Sequence, residues 1–138
     1  MQHWLIKSDS DTYAWKDLVN EKKTAWTGVR NFQARNNLAN MQKGDKLLFY
    51  HSGEDKAVVG EAKVVKAHYP DPTATEGNWV CVDVAPDKAF KQPVTLAAMR
   101  LEPSLKNFML LRQGRLSVIP ATEEEYYNIV RMGNAIKK

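Results

Sequence analysis

The chain has 138 residues, with 20 Lys and Arg against 16 Asp and Glu, a net charge of +4, and 43% hydrophobic residues. That length fits one domain with its own core, needing no disulfide or metal to fold, so residues 1–138 are expected to form a single unit. No apolar stretch approaches the roughly 20 residues of a membrane span, and the opening "MQHWLIKSDSD" has neither a basic start nor a long apolar run, so no secretory signal is expected. One cysteine excludes an intramolecular disulfide and suits a reducing, cytoplasmic setting. The isoelectric point near 9.2 is compatible with a polyanionic partner without demanding one.

In chain order, "HWLIKS" (3–8) reads as a strand that ends in a polar turn. Residues 11–23 read as a short helix with Tyr13, Leu18 and Val19 as core contacts. A second helix is predicted over 31–41. At about 100° per residue, Ala34, Leu38 and Met41 share one face, and Gln33, Asn36, Asn37 and Asn40 gather on another. "KLLFYHS" (46–52) and "AVVGEAKVVKAHY" (57–69) read as strands joined by a turn at 53–56, with Gly60 marking a bulge or a close backbone approach.

The Pro, Asp, Gly and Asn content of 70–78 predicts a loop. Residues 79–90 alternate as a strand, with Trp79, Cys81, Asp83 and Ala85 on one side and Val80, Val82 and Val84 on the other. Thr95 is expected to cap a short helix at 96–102. A tight turn at Gly114 leads to a strand at 116–119. Thr122 and Glu125 form a capping box for a closing helix, whose buried face holds Tyr126, Ile129 and Val130 and whose stop is Gly133. Strands in the middle and helices at the edges predict an α+β fold, a curved mixed sheet or small open barrel flanked by helices.

Several chemistries find no support. There is no phosphate-binding Gly-rich loop and no nucleophile elbow. His3, His51, His68 and Cys81 match no zinc spacing, so no metal or cofactor is expected. Cys81, in mid-strand, reads as a small core residue rather than a nucleophile.

"TAWTGVRNFQARNNL" (24–38) is different. It gathers a Trp, two Arg, three Asn and a Gln around one Gly. Trp26 reads either as a core residue with polar flanks or as a stacking plane for a nucleobase. Asn and Gln offer donor and acceptor together, as a base edge requires, and Arg suits phosphate. Tyr50, His51 and Ser52 end one strand, and Lys7 and Ser8 end another. Both places fit either a pocket lining or ordinary strand termination. Arg112 and Arg115 fit phosphate contacts or helix-carbonyl contacts equally.

Together these stretches resemble the EVE domain of the PUA-like superfamily. The resemblance runs through "WLIKSDSDTYAWKDL", "WTGVRNFQARNNLANMQKGDKLLFYHS", "AVVGEAKVVKAHYPDPT", "WVCVDV", "PVTLAAMR" and "LLRQGRLSVIPATEEEYYNIV", nearly the whole chain, with "WTGVRNFQARN" and "FYHS" the most specific pieces. It implies a PUA-like fold and a pocket related to that of YTH domains. It also implies a reader of modified bases in nucleic acid, chiefly 5-methylcytosine or 5-hydroxymethylcytosine in DNA, with modified RNA as the lesser expectation. Carried over, Trp26 would stack on the base. Lys7, Ser8, Gly28, Val29, Arg30, Asn31, Gln33, Tyr50, His51 and Ser52 would line the pocket, and Arg30, Arg35, Arg112 and Arg115 would hold phosphates. One departure is the first turn, Ser8-Asp9-Ser10, where the family reads Ser-Glu-Pro; losing Pro predicts a looser pocket edge. A monomeric, bacterial, cytoplasmic protein is expected. Two rivals remain at this point. One is an ASCH-like hydrolase using Lys7, Thr24 or Thr27, and Glu61. The other is an interaction module with a vestigial pocket.

Overall fold

In the computed structural model, which describes residues 1–134, the chain runs β1 (His3–Asp9), α1 (Trp15–Glu21), β2 (Thr24–Ala25), α2 (Phe32–Asn40), β3 (Lys46–Ser52), β4 (Ala57–Pro70), β5 (Val80–Thr95), α3 (Leu96–Leu101), α4 (Met109–Arg112), β6 (Val118–Ala121) and α5 (Glu123–Asn134). The strands form one mixed six-stranded sheet in the order β2-β5-β4-β3-β1-β6. β1 and β3 are parallel, with Leu5 opposite Leu48; the other pairs are antiparallel. The sheet is open, and its edge strands are short, two residues in β2 and four in β6. No helix among the described residues is long and apolar enough to cross a membrane.

The parallel pair explains why "WLI" and "LLF" read as continuous apolar runs. Trp4, Leu5, Ile6, Leu47, Leu48 and Phe49 are all buried, so the middle of the sheet is covered on both faces. Cys81, Val82 and Val84 in β5 are likewise buried. Each large side chain buried this way contributes about 1.5–3 kcal/mol. Trp4 also donates its indole N–H to the buried Asp45 carboxylate at 3.1 Å, and Asp45 further accepts the backbone N–H groups of Gln2 and Gln42.

Local signals place the helices. Asn31 caps α2 by accepting the Ala34 N–H at 2.9 Å, and Thr95 caps α3 through the Ala98 N–H at 3.0 Å. Thr122 and Glu125 form the reciprocal box at the start of α5. The apolar face of Ala34, Leu38 and Met41 is buried as expected, while from the amide face Asn37 reaches over to donate to the Val118 carbonyl at 2.7 Å.

Other expectations are corrected. The first helix begins only at Trp15, because the Asp9 carbonyl accepts the N–H groups of Thr12 and Tyr13 and commits 10–13 to a turn. Val19 is not a core contact: it is 46% exposed, one step round the helix from buried Leu18. Gly133 does not stop α5 but lies within it, where a Cβ would sit 2.3 Å from the Phe90 ring; the glycine serves packing. The last strand is Val118–Ala121 rather than 116–119, set by its pairing with β1, and β5 continues past 90 to Thr95 along β4. Trp79 lies just outside β5.

Gly60 meets both halves of its expectation. The β3–β4 and β4–β5 registers shift beside it, and a Cβ there would lie 2.7 Å from the Trp15 ring and 3.0 Å from the Lys88 carbonyl. With backbone on one side, the collision is not relieved by one side chain swinging away. Gly60→Ala is therefore expected to lower stability by about 1–3 kcal/mol, read as a fall in the thermal midpoint.

Candidate nucleic-acid interface

The end of β1, β2 and the loop leading to α2 enclose a cavity of about 510 Å³. That volume lies within the range of small-molecule pockets. Its walls include Lys7, Ser8, Tyr13, Trp26, the Thr27–Arg30 loop and Ser117. Six of the residues expected to line a base pocket thus meet here: Lys7, Ser8, Trp26, Gly28, Val29 and Arg30.

Trp26 belongs both to the core margin and to the cavity wall. Its backbone N–H donates to the Val82 carbonyl at 2.7 Å, extending the line of β2. Its ring is half-buried, packed against the core, and still forms part of the cavity wall. Tyr13 and Phe49 meet it edge-to-face at 6.1 and 5.6 Å between centroids, which fixes its orientation.

The loop after Trp26 is held by a carboxylate that sequence reasoning missed. Asp71, its side chain 0% exposed, accepts the Gly28 N–H at 2.8 Å, the Arg30 guanidinium at 3.0 Å, and the Thr73 N–H and hydroxyl at 2.8 and 2.6 Å. Gly28 has φ +84°, a left-handed conformation that suits glycine. Burial alone would raise the Asp71 carboxyl, but the bonds from Thr73, Gly28 and Arg30 outweigh it and hold the group well below the usual carboxylate range. The residue was legible only as loop punctuation, because the cavity-loop partners it holds, Gly28 and Arg30, lie 43 and 41 positions away in sequence.

The polar edge comes from β1. Lys7 donates its ammonium to the Gly114 carbonyl and its backbone N–H to the Ser117 carbonyl, bringing the 113–117 loop to the rim. Burial pulls the Lys7 amine below the usual lysine range. The Ser8 hydroxyl donates to the Tyr13 carbonyl at 2.5 Å, and Asp9 closes the next turn by accepting the Asp11 N–H. Burial, then the bond to Glu21, pushes the Tyr13 phenol up to about 12, so it stays neutral.

The remaining sequence candidates lie outside the cavity wall. Asn31 spends its carbonyl oxygen on the α2 cap, and Gln33 is exposed on α2. Tyr50 is buried beneath Lys7, whose ammonium sits 5.8 Å from its ring centroid. His51 accepts the Trp15 N–H at 3.0 Å and lies 3.1 Å from Asp55, and Ser52 pairs with Asp9 in the sheet. Of the arginines, Arg30 is at the cavity, Arg35 stands on α2, and Arg112 and Arg115 are exposed around the Gly114 turn. The set needed for hydrolysis does not converge: Lys7, Thr24 and Thr27 are at the cavity, while buried Glu61 lies elsewhere and accepts the Tyr126 hydroxyl at 2.7 Å. Among the described residues, no group of three His, Cys, Asp or Glu side chains is placed to hold a metal ion.

The EVE domain pattern matches residues 2–132 of the chain. Human thymocyte nuclear protein 1 is 34% identical over an alignment spanning 90% of this chain and 70% of that protein. Among solved structures, a Rhodopseudomonas palustris protein shares 41% identity with a TM-score of 0.93, covering 100% of this chain and 97% of its own. The human THYN1 protein, solved in complex with DNA containing 5-methylcytosine, shares 30% identity with a TM-score of 0.92, covering 99% of this chain and 100% of its own.

Proposed function

This chain belongs to the EVE domain family, and from that premise we propose that it is a non-enzymatic binder of nucleic acid that holds one modified base, 5-methylcytosine in DNA, in the Trp26 cavity. The observation that carries the reading is the placement of an oriented indole beside a backbone loop fixed by Asp71. The relative solved with 5-methylcytosine-containing DNA supports the choice of ligand.

The energetics set the requirement. Extruding a base costs a few kcal/mol. Stacking on an aromatic plane returns about 1–3 kcal/mol. Hydrogen bonds to the base edge, from backbone groups of the Thr27–Arg30 loop and from Ser8, supply the rest. Arg30, Arg35, Arg112 and Arg115 attract the flanking phosphates, which makes total affinity fall with salt. On this reading the ligand leaves unchanged.

Discrimination comes from the methyl group. Burying one methyl is worth about 0.8 kcal/mol, about fourfold in affinity, and close packing raises this toward tenfold. Fluorescence titration with matched oligonucleotides carrying cytosine or 5-methylcytosine, at one salt concentration, is expected to show a preference of about four- to tenfold. Equal affinities that vanish together as salt rises would leave only phosphate attraction and refute the reading.

A further inference from the structure

An aromatic cluster lies next to the cavity and outside it. Phe32, the first residue of α2, is 65% exposed, and its ring stacks on Trp79 at 5.1 Å between centroids and 23° between planes. The Arg35 guanidinium lies 5.0 Å from the Phe32 centroid and 5.8 Å from that of Trp79. The Arg30 guanidinium lies 5.6 Å from Trp79 while also bordering the cavity. The two features are therefore continuous through Arg30.

The cluster is not core packing. Phe32 stays exposed, and a helix needs no phenylalanine at its first position. Arg30 is paired with Asp71, but among the described residues Arg35 has no ion-pair partner. An exposed aromatic plane flanked by cations matches the chemistry of single-stranded nucleic acid, in which an unpaired base offers a π-face and the adjoining phosphate a negative charge.

We infer that Phe32 and Trp79, flanked by Arg30 and Arg35, form a stacking shelf for an unpaired base next in the strand to the one in the cavity. The inference rests on the reading of the cavity as a base pocket and extends it to the substrate class: single-stranded nucleic acid is held at two consecutive bases. A base still in a duplex is covered by its neighbours and gains nothing from the shelf.

The test uses the whole chain, with Phe32→Ala and Arg35→Gln as variants. Ligands are a single-stranded pentanucleotide with central 5-methylcytosine, its cytosine counterpart, versions with an abasic site on either flank, and the methylated strand annealed to its complement. Because Phe32 is exposed, Phe32→Ala should keep the wild-type melting temperature. It is expected to weaken single-strand binding by about tenfold, leave the methyl preference intact, and leave duplex affinity unchanged. An abasic flank on one side should weaken the wild type by a similar factor, with no further loss in Phe32→Ala. Arg35→Gln should weaken single-strand binding less and flatten its salt dependence. If Phe32→Ala binds the single strand as tightly as wild type, or loses as much with abasic flanks as with intact ones, or weakens duplex binding equally, the shelf is refuted while the methyl preference still stands. A wild type without methyl preference would instead refute the pocket.

Discussion

Trp26→Ala is expected to abolish the preference for the modified base and to lower stability by about 2 kcal/mol. The second effect follows from packing. A fully buried Trp→Ala costs about 3–5 kcal/mol, and this ring is half-buried against Phe49 and Tyr13. Since domains hold about 5–15 kcal/mol in reserve, the variant stays folded. The first effect is the loss of about 1–3 kcal/mol of stacking, which leaves affinity set by phosphate contacts. Trp26→Phe keeps a smaller plane in place and should restore most of the stability and part of the preference. Melting curves beside titrations of both variants check this. A variant that loses stability but keeps its preference would make Trp26 a core residue only.

Asp71→Ala carries the largest expected cost to stability. It leaves the Gly28 N–H, both Thr73 donors and the Arg30 guanidinium without their shared acceptor. Removing one partner of a fully buried pair costs about 3–5 kcal/mol. The Arg30 side chain is 38% exposed and can recover water, so about 2–4 kcal/mol is expected. The cavity loop loses its anchor as well, and base affinity should fall with it.

The same carboxylate predicts a pH dependence. Its folded pKa is depressed, so the unfolded chain binds the proton more readily. The stability it contributes is complete above the unfolded value of about 4 and is lost as pH falls from there toward the lower folded value. Wild-type melting temperature should therefore drop below about pH 4 more steeply than that of Asp71→Asn. Equal acid slopes would show that Asp71 contributes little.

Much of this was legible locally. The apolar runs of β1 and β3 and the caps at Thr95 and Thr122 each depend on residues close in sequence, and Gly60 was marked by being a glycine inside a strand pattern. The Trp26–Arg30 stretch stood out by composition, and it does face a cavity. What stayed hidden depends on distant partners. β2 is two residues long and exists because Thr24 and Ala25 pair with Val84 and Asp83. Gly133 resembles a helix stop until Phe90, from another element, occupies the space of its missing side chain. Tyr50, His51 and Ser52 end a strand, which fits either a pocket lining or ordinary strand termination, and only the family resemblance pointed to a pocket; the sheet turns Tyr50 inward and places His51 against α1. Phe32 and Trp79 lie far apart in the chain, and only the fold stacks them.

The most direct test of the central claim follows the four tryptophan indole N–H signals by two-dimensional NMR while a 5-methylcytosine oligonucleotide is added. Trp4, tied to buried Asp45, and Trp15, packed under the sheet bulge, should hold still. Trp26 should shift and saturate with the methylated strand, and should shift less at equal concentration of the unmethylated one. A Trp26 signal that stays fixed while the oligonucleotide binds would place the base elsewhere and contradict the account.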